Sequence, residues 1–424
     1  MASLRSAARL TKNARSLLSR VAGFELPAAA GTALRTTPAA LRAFSAAAEP
    51  AKAPIIENEM FCYQCEQTKS GTGCTTIGVC GKTPETAYLQ DLLTYSLKGL
   101  ACWTDFAAKQ GVEVPAEVYS FLHAATFATL TNVNFDDARF KEYVSQCHEL
   151  RDGIESMVRA KGVEASPTTP ANLPWFDLLA HPAAWKLNAG YLQGATKEQL
   201  VNLGKMTSLE HRRHVVDPTL LGLHEMITYG LRGLCAYSHH AEVLGQRDAD
   251  VDKFVAEAYA FLCSEDALDL GKVLGMVDAA GAAGLKAMKI LDEGHVSKFG
   301  HPEPTQVRIT PKKGKAILIS GHDMQDTFDL LVQTEGKGVN VWTHGELLPA
   351  HGYPALKKRF PHLQKAVAVL LTLLHLGVKN IRIGPKAPAF LTPESLKVVV
   401  DTYGLKVTDV KDPAADVAAM MSGN

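Results

Sequence analysis

The sequence predicts a mixed α and α/β fold, with N-terminal duplicated helical bundles followed by truncated Rossmann-like parallel-sheet segments. Three observations predict it. The stretch "LQDLLTYSLKGLACW" (89–103) recurs as "LHEMITYGLRGLCAY" (223–237), pairing Leu89 with Leu223, Tyr95 with Tyr229, Gly99 with Gly233 and Trp103 with Tyr237. Between residues 60 and 305 apolar side chains return at the 3.6-residue spacing of a helix that buries one face. Near residue 306 the period changes, and short apolar runs alternate with helical stretches in the manner of strand–helix–strand units.

Residues 1–59 precede this patterned core. Residues 1–45 hold seven Lys/Arg against one acid, Glu25, and because the formal net charge of the chain is zero, the remainder carries −6. An acidic remainder argues against a nucleic-acid partner. No uninterrupted apolar run reaches the roughly 18 residues that a membrane-spanning helix needs, so no membrane partner is expected. Leu10, Leu17, Leu18 and Val21 fall on one face of a helix, with Arg5, Arg9, Lys12 and Arg20 opposite. This Arg-, Ser- and Ala-rich segment, followed by a Pro/Ala/Thr linker, reads as a transit peptide; a basic amphipathic surface helix is the other reading. "RAFSAA" (42–47) is similar to a mitochondrial processing site, so mitochondrion is expected, with plastid as the alternative.

Cys62, Cys65, Cys74 and Cys80 open the domain at 60–305 with the spacing C-x2-C-x8-C-x5-C. A Cys-x-x-Cys turn aims two thiolates at one metal centre, and Gly71, Gly73, Gly78 and Gly81 let the loop wrap closely and turn N–H groups toward sulfur. Structural zinc is usually held by two such pairs, and only one is present, so the spacing favours a cubane iron–sulfur cluster over zinc. A reducing compartment makes disulfides here unexpected. Cys102, Cys147, Cys235 and Cys263 sit singly in apolar helical patterns and read as buried packing thiols. "FLHAATFATL" from Phe121 answers loosely to "FVAEAYAFLC" from Phe254, which extends the duplication. The repeat glycines read as sites of close helix packing. "HRRH" (211–214) and the pair His239, His240 read as solvated or packed histidines, because adjacent residues on a helix do not share a face.

From 306 to 363, "KAILISGHDM" supplies a strand over Ala316–Ile319, "QDTFDLLVQTEG" a helix, and "VNVWTHGELL" a second strand. Parallel strands joined by a right-handed crossover end on one edge of the sheet, where ligands bind in open α/β folds. His322 and Glu346 therefore converge; they either form a site or are loop-end polar residues. Residues 364–424 repeat the alternation, with a helix at 366–377, a strand "NIRIG" (380–384), a helix from "LTPESLKVVVDTYG", and a strand "KVTDV".

Three long stretches, beginning "MFCYQCEQTKSGTGC", "ISGHDMQDTFDLLVQ" and "QKAVAVLLTLLHLGV", resemble the hybrid-cluster (prismane) family of hydroxylamine reductases, in order and across residues 60–424. Met60 matches the first residue of members that have no leader. The resemblance implies an oxidoreductase that reduces hydroxylamine to ammonia and water, or reduces nitric oxide, with electrons from a donor that the sequence does not identify. It implies a 4Fe–4S cubane on Cys62, Cys65, Cys74 and Cys80, and a hybrid iron–sulfur–oxygen cluster with His322 and Glu346 among its ligands. The family's hybrid cluster also takes four cysteines, one persulfurated, and a glutamate two positions before a lysine.

Here the sequence departs from the family. After Cys263 there is no cysteine, and "KKRFPHL" runs directly into "QKAVAVLL" at Leu363–Gln364. The lysine is kept as Lys365, and Leu363 stands in the glutamate's place. Hard, isolated ligands do not replace four soft thiolates. The expectation is therefore truncated sheet segments, an intact cubane loop and a hybrid cluster that this chain does not assemble. A non-catalytic 4Fe–4S electron-transfer or interaction protein is the alternative, and a zinc-stabilised helical binding module the third reading. The leader gives a first test: N-terminal sequencing of native protein is expected to begin between about residues 40 and 50, and an intact Met1 would end the transit-peptide reading.

Overall fold

The computed structural model describes residues 53–65, 71–131, 133–308, 313–367, 380–383 and 406–409. The leader reading at 1–45 lies outside them. Among the described residues no helix is long and apolar enough to cross a membrane.

Helix α1 (Pro84–Lys109) starts where the Thr83 hydroxyl accepts the N–H of Thr86 and Pro84 presets the first turn. Its buried residues run almost without a break from Thr86 to Thr104. A helix buried on all sides is a core element. Around it pack α2 (Ala116–Ala128), α3 (Asp137–Ala160), α5 (Lys197–Met206) and α8 (Ala249–Phe261). Short helices α4 (Ala189–Gly194) and α6 (Leu209–Val215) fill in between, and α7 (Pro218–Val243) packs against α2 and the 30-residue α9 (Leu270–Phe299). The starts are written in the sequence: Asp136, Asp217, Asp248 and Asp269 each accept N–H groups of their own first turn. Thr196 and Gln199 close a reciprocal capping box on α5.

The two repeat segments fall in α1 and α7, each of 26 residues with proline first, and each is followed in order by a helix of 13 residues, α2 or α8. Their matched glycines differ. A Cβ on Gly99 would sit 2.6 Å from the Pro182 carbonyl oxygen, whereas one on Gly233 would meet open space. Close helix packing is the expectation at both repeat glycines; Gly99 is closely approached, by the turn at Pro182 and not by a helix, and Gly233 is not approached at all. The tightest approach lies elsewhere, at Gly204, where a Cβ would lie 2.2 Å from the Tyr88 carbonyl oxygen.

The chain then builds a parallel sheet of order β1-β2-β3 from β1 (Lys315–Ile319), β2 (Val339–His344) and β3 (Leu363–Val367), with α10 (Met324–Thr334) crossing from β1 to β2. Ile317 lies opposite Val341, and Thr343 opposite Ala366. Asp323 caps α10 and stands 3.3 Å from His240 Nδ1, which ties the crossover to α7. A turn at Gly345–Gly352 and the short α11 (Pro354–Lys357) lead to β3 over a second core of Phe299, Leu331, Val341, Phe360 and Leu363. A separate parallel pair joins β4 (Asn380–Ile383) and β5 (Lys406–Asp409).

One element differs from the sequence-based expectation. Ala366 and Val367, expected to begin a helix at 366–377, continue β3, which runs straight through Leu363–Gln364. The physical reason is pairing: the free edge of β2 takes up the backbone groups of this apolar run, and periodicity alone does not separate a short buried strand from a helix. Residues 368–377, the expected helix after 390 and the last residues of the two terminal strand expectations lie outside the described residues.

The glycine contacts predict a contrast. Gly204→Ala should destabilise the protein by about 1–3 kcal/mol, since the clash is with backbone. Gly233→Ala, in a mid-helix site with room, should be neutral or stabilising by roughly 0.5–1 kcal/mol. Urea unfolding of the two variants checks both signs.

Candidate metal centre

The cysteine loop is a small braced structure. Cys62 and Cys74 face each other across an antiparallel bridge, with Cys62 N–H donating to the Cys74 carbonyl at 3.1 Å and Cys74 N–H returning at 2.8 Å. Gly78 and Lys82 close a second turn, in which Gly78 N–H reaches the Lys82 carbonyl at 2.8 Å and Gly81 takes φ +89°. A Cβ on Gly78 would lie 3.0 Å from Cys80 Sγ, and one on Gly73, at φ +129°, would strike the Phe61 ring at 2.8 Å. The positive φ favours glycine at 73, and at 78 any larger residue would crowd the Cys80 thiol. All four cysteines are free; Cys74 is buried and the others are half-buried. Met60 packs at 0% exposure against Cys74 and Ala87, anchoring the loop to α1.

Lys82 tests whether these residues fit an iron–sulfur cluster. Its side chain is 2% exposed, and among the described residues its ammonium finds one acceptor, Cys62 Sγ at 3.8 Å. A buried ammonium needs negative charge beside it, and neutral thiols supply little. Four thiolates around a cluster supply it. Burial pushes the Cys80 thiol above its ordinary value, with Lys82 opposing, so ionisation there calls for a bound cation. The donor set and its buried counter-cation fit an iron–sulfur cluster.

Tyr63 stacks edge-on to Phe61 at 5.3 Å and to Tyr229 of α7 at 5.8 Å, carrying the loop toward the helical interior. Burial, reinforced by the Glu225 carboxylate, pushes its hydroxyl up to about 12. Behind the loop, Glu57, Glu210 and His214 each place a ligand atom within 4.8 Å of the others. Glu210 already accepts from Glu57 N–H and Asn58 Nδ2, and Arg213 stands 3.5 Å away, so a guanidinium occupies the role of a cation.

At the carboxyl edge of the sheet His322 Nε2 lies 3.0 Å from Glu346 Oε2. Both follow strand ends, β1 and β2, and both are exposed, at 70% and 57%. Ser320 Oγ and His344 Nδ1 make a second contact across the same edge at 3.1 Å. Lys365 lies on β3 opposite Trp342, and its side chain lies outside the described residues. Leu363 is 0% exposed in the second core. The remaining thiols do not approach this edge as ligands: Cys102, Cys147, Cys235 and Cys263 are buried in the helical region, and burial pushes Cys147 and Cys235 above their ordinary range. The described residues do not fit a hybrid cluster.

Comparison with known proteins gives the assignment. The prismane/CO dehydrogenase family model matches residues 60–364 and again 363–418. The chain belongs to this family. Its two matches meet where the sequence departs from the family pattern. The chain is similar to the hydroxylamine reductase of Syntrophobacter fumaroxidans, 45% identical over 299 residues that cover 70% of this chain and 52% of the relative. It is similarly related to the hydroxylamine reductases of Microcystis aeruginosa, 42% identical over 304 residues, and Methanocella arvoryzae, 44% over 303 residues, each covering 72% of this chain and 52% of the relative. The chain thus spans about half the length of the curated relatives it matches.

Sequence reasoning missed the burial of Lys82, although a lysine two residues past the last loop cysteine was a usable signal. It also missed that Cys102 and Cys263 meet, packed together with Ala183; nothing in their spacing reports this. The cluster loop yields the third prediction. Anaerobically produced protein should bind about four irons per chain, as a cubane requires, and Cys65→Ser should lose them, measured by iron analysis and visible absorbance. Zinc in their place, or undiminished iron in the variant, contradicts the assignment.

Proposed function

We propose that this chain acts in hydroxylamine reduction as a hydroxylamine reductase-type iron–sulfur protein whose cysteine loop takes electrons from a donor and relays them. The observation that carries the reading is the buried Lys82 ammonium set against Cys62 in a four-cysteine loop, within a chain of this family. When bound, the cubane would supply one-electron storage and transfer. The chain's own residues do the rest: Met60 and Ala87 dock the loop on α1, Lys82 balances its charge, and Phe61 and Tyr63 pack edge-on beside Cys62. Hydroxylamine, and nitric oxide as the second family substrate, would require a further cluster at the His322–Glu346 edge. This chain offers that edge an imidazole and a carboxylate and no thiolate, so by itself it is proposed to carry electrons without turnover.

Three further features belong to this reading. The helical region is proposed to be an internal duplication, on the strength of paired 26- and 13-residue helices carrying the repeat. The β1–α10–β2 unit is proposed to be the remaining part of a Rossmann-like sheet, extended across the junction by β3. The basic leader supports import into the mitochondrion, or into a plastid.

An anaerobic assay of reconstituted protein with a reduced viologen tests the proposal. The chain should be reduced and reoxidised reversibly, while hydroxylamine turnover falls orders of magnitude below that of a full-length relative. Losing a cofactor's contribution removes on the order of 8 kcal/mol or more of barrier lowering. Turnover equal to the relative, and abolished by His322→Ala, would overturn the reading.

A further inference from the structure

A second polar centre lies between α1, α6 and α7. On α1, Asp91, Thr94 and Lys98 follow one another at helical spacing along one face, and on α7 Glu225 and Arg232 do the same. With Arg212 of α6 and the ring of Trp175 they line a cavity of about 10 Å³. Lys98, Arg212, Glu225 and Arg232 are 7%, 9%, 3% and 3% exposed. Charged side chains are seldom buried in such number without a reason.

Their hydrogen bonds leave one charge over. Arg212 Nη1 donates to Glu225 Oε1 at 2.6 Å, and Asp91 Oδ2 accepts the N–H of Leu209 at 3.1 Å. Arg232 donates from Nε to Thr129 Oγ1 at 2.8 Å and from Nη2 to Thr94 Oγ1 at 3.5 Å. Among the described residues Lys98 Nζ has no hydrogen-bond or ion-pair partner. Three cations thus face two carboxylates. The field is positive: burial works to raise the Glu225 carboxyl, yet Arg212, Lys98 and Arg232 together hold it below its ordinary range. Burial and the Arg212 guanidinium in turn push the Lys98 ammonium down.

A buried ammonium in a positive field has two remedies, to lose its proton or to gain an anion. The cavity is of a size that admits about one water-sized particle, too small for a carboxylate or a phosphate. A water would give Lys98 an acceptor and leave the excess charge in place. A monatomic anion answers both needs.

We propose that this cavity is a binding site for one small monoanion of the chloride class, held by Lys98 between the guanidinium groups of Arg212 and Arg232. The bound anion ties α1 to α6 and α7 at the centre of the helical region. Because it binds the folded chain alone, it adds to stability by mass action. The site stands apart from the cysteine loop and from the His322–Glu346 edge, and the inference does not depend on the hydroxylamine reading.

Crystals of the full chain grown with bromide in place of chloride, measured at the bromine absorption edge, test it directly. An anomalous peak in the cavity beside Lys98 is expected. Bromide confined to the molecular surface, or no peak, would overturn the proposal. In solution, chloride titrated at constant ionic strength should raise the melting temperature and saturate in the wild type, and Lys98→Met should not respond. An equal response in Lys98→Met also overturns it, and if that variant does not fold the crystal result decides alone.

Discussion

The helical region depends on one constraint: α1 is buried on all sides while carrying polar residues along its length. Its apolar side chains, Leu92, Leu93, Leu97 and Leu100, are each 0% exposed and hold the surrounding helices together. Several of its polar ones are answered within the helix or from another element, since an unanswered buried polar group is costly. Thr94 Oγ1 turns back to the Gln90 carbonyl at 2.8 Å, Gln90 reaches Asn134 O at 3.3 Å, and Trp103 Nε1 donates to Ala183 O at 2.9 Å. The contacts to Asn134 and Ala183 tie the helix to its neighbours, and the packing of Met60 and Cys74 on Ala87 docks the cysteine loop at its N-terminus. A shift of α1 would disturb the packing and the loop together.

The chain therefore has two unequal parts chemically. The cysteine loop has soft donors, glycines placed where a Cβ would collide, and a buried cation to balance thiolate charge. The sheet edge has His322 and Glu346 in contact but open to solvent, and Leu363 is buried in the second core. The two family matches overlap at the same place, residues 363–364. β3 runs through that place as a continuous strand, because a parallel edge accepts whatever apolar run follows it with open backbone groups.

Much of this was legible in the sequence. The cysteine spacing placed the loop, and the repeat placed the two 26-residue helices. The meeting of His322 and Glu346 followed from topology alone, since a right-handed crossover leaves both strand ends on one edge. What stayed hidden came from long-range packing. Cys102 and Cys263 gave no sign of contact, Gly233 looked like Gly99 yet packs against nothing, and Ala366 and Val367, read as the start of a helix, pair with β2 instead. The charged residues of α1 and α7 were readable singly. Their convergence on one cavity was not.

Iron spectroscopy on the anaerobically reconstituted chain decides whether it builds the first cluster and not the second. Mössbauer spectra of protein enriched in the iron isotope, taken with the iron count, should show sulfur-coordinated cubane iron as the single species, about four per chain as such a cluster contains. A second population of iron with mixed oxygen and sulfur coordination, in comparable amount and lost on Glu346→Gln, would contradict it.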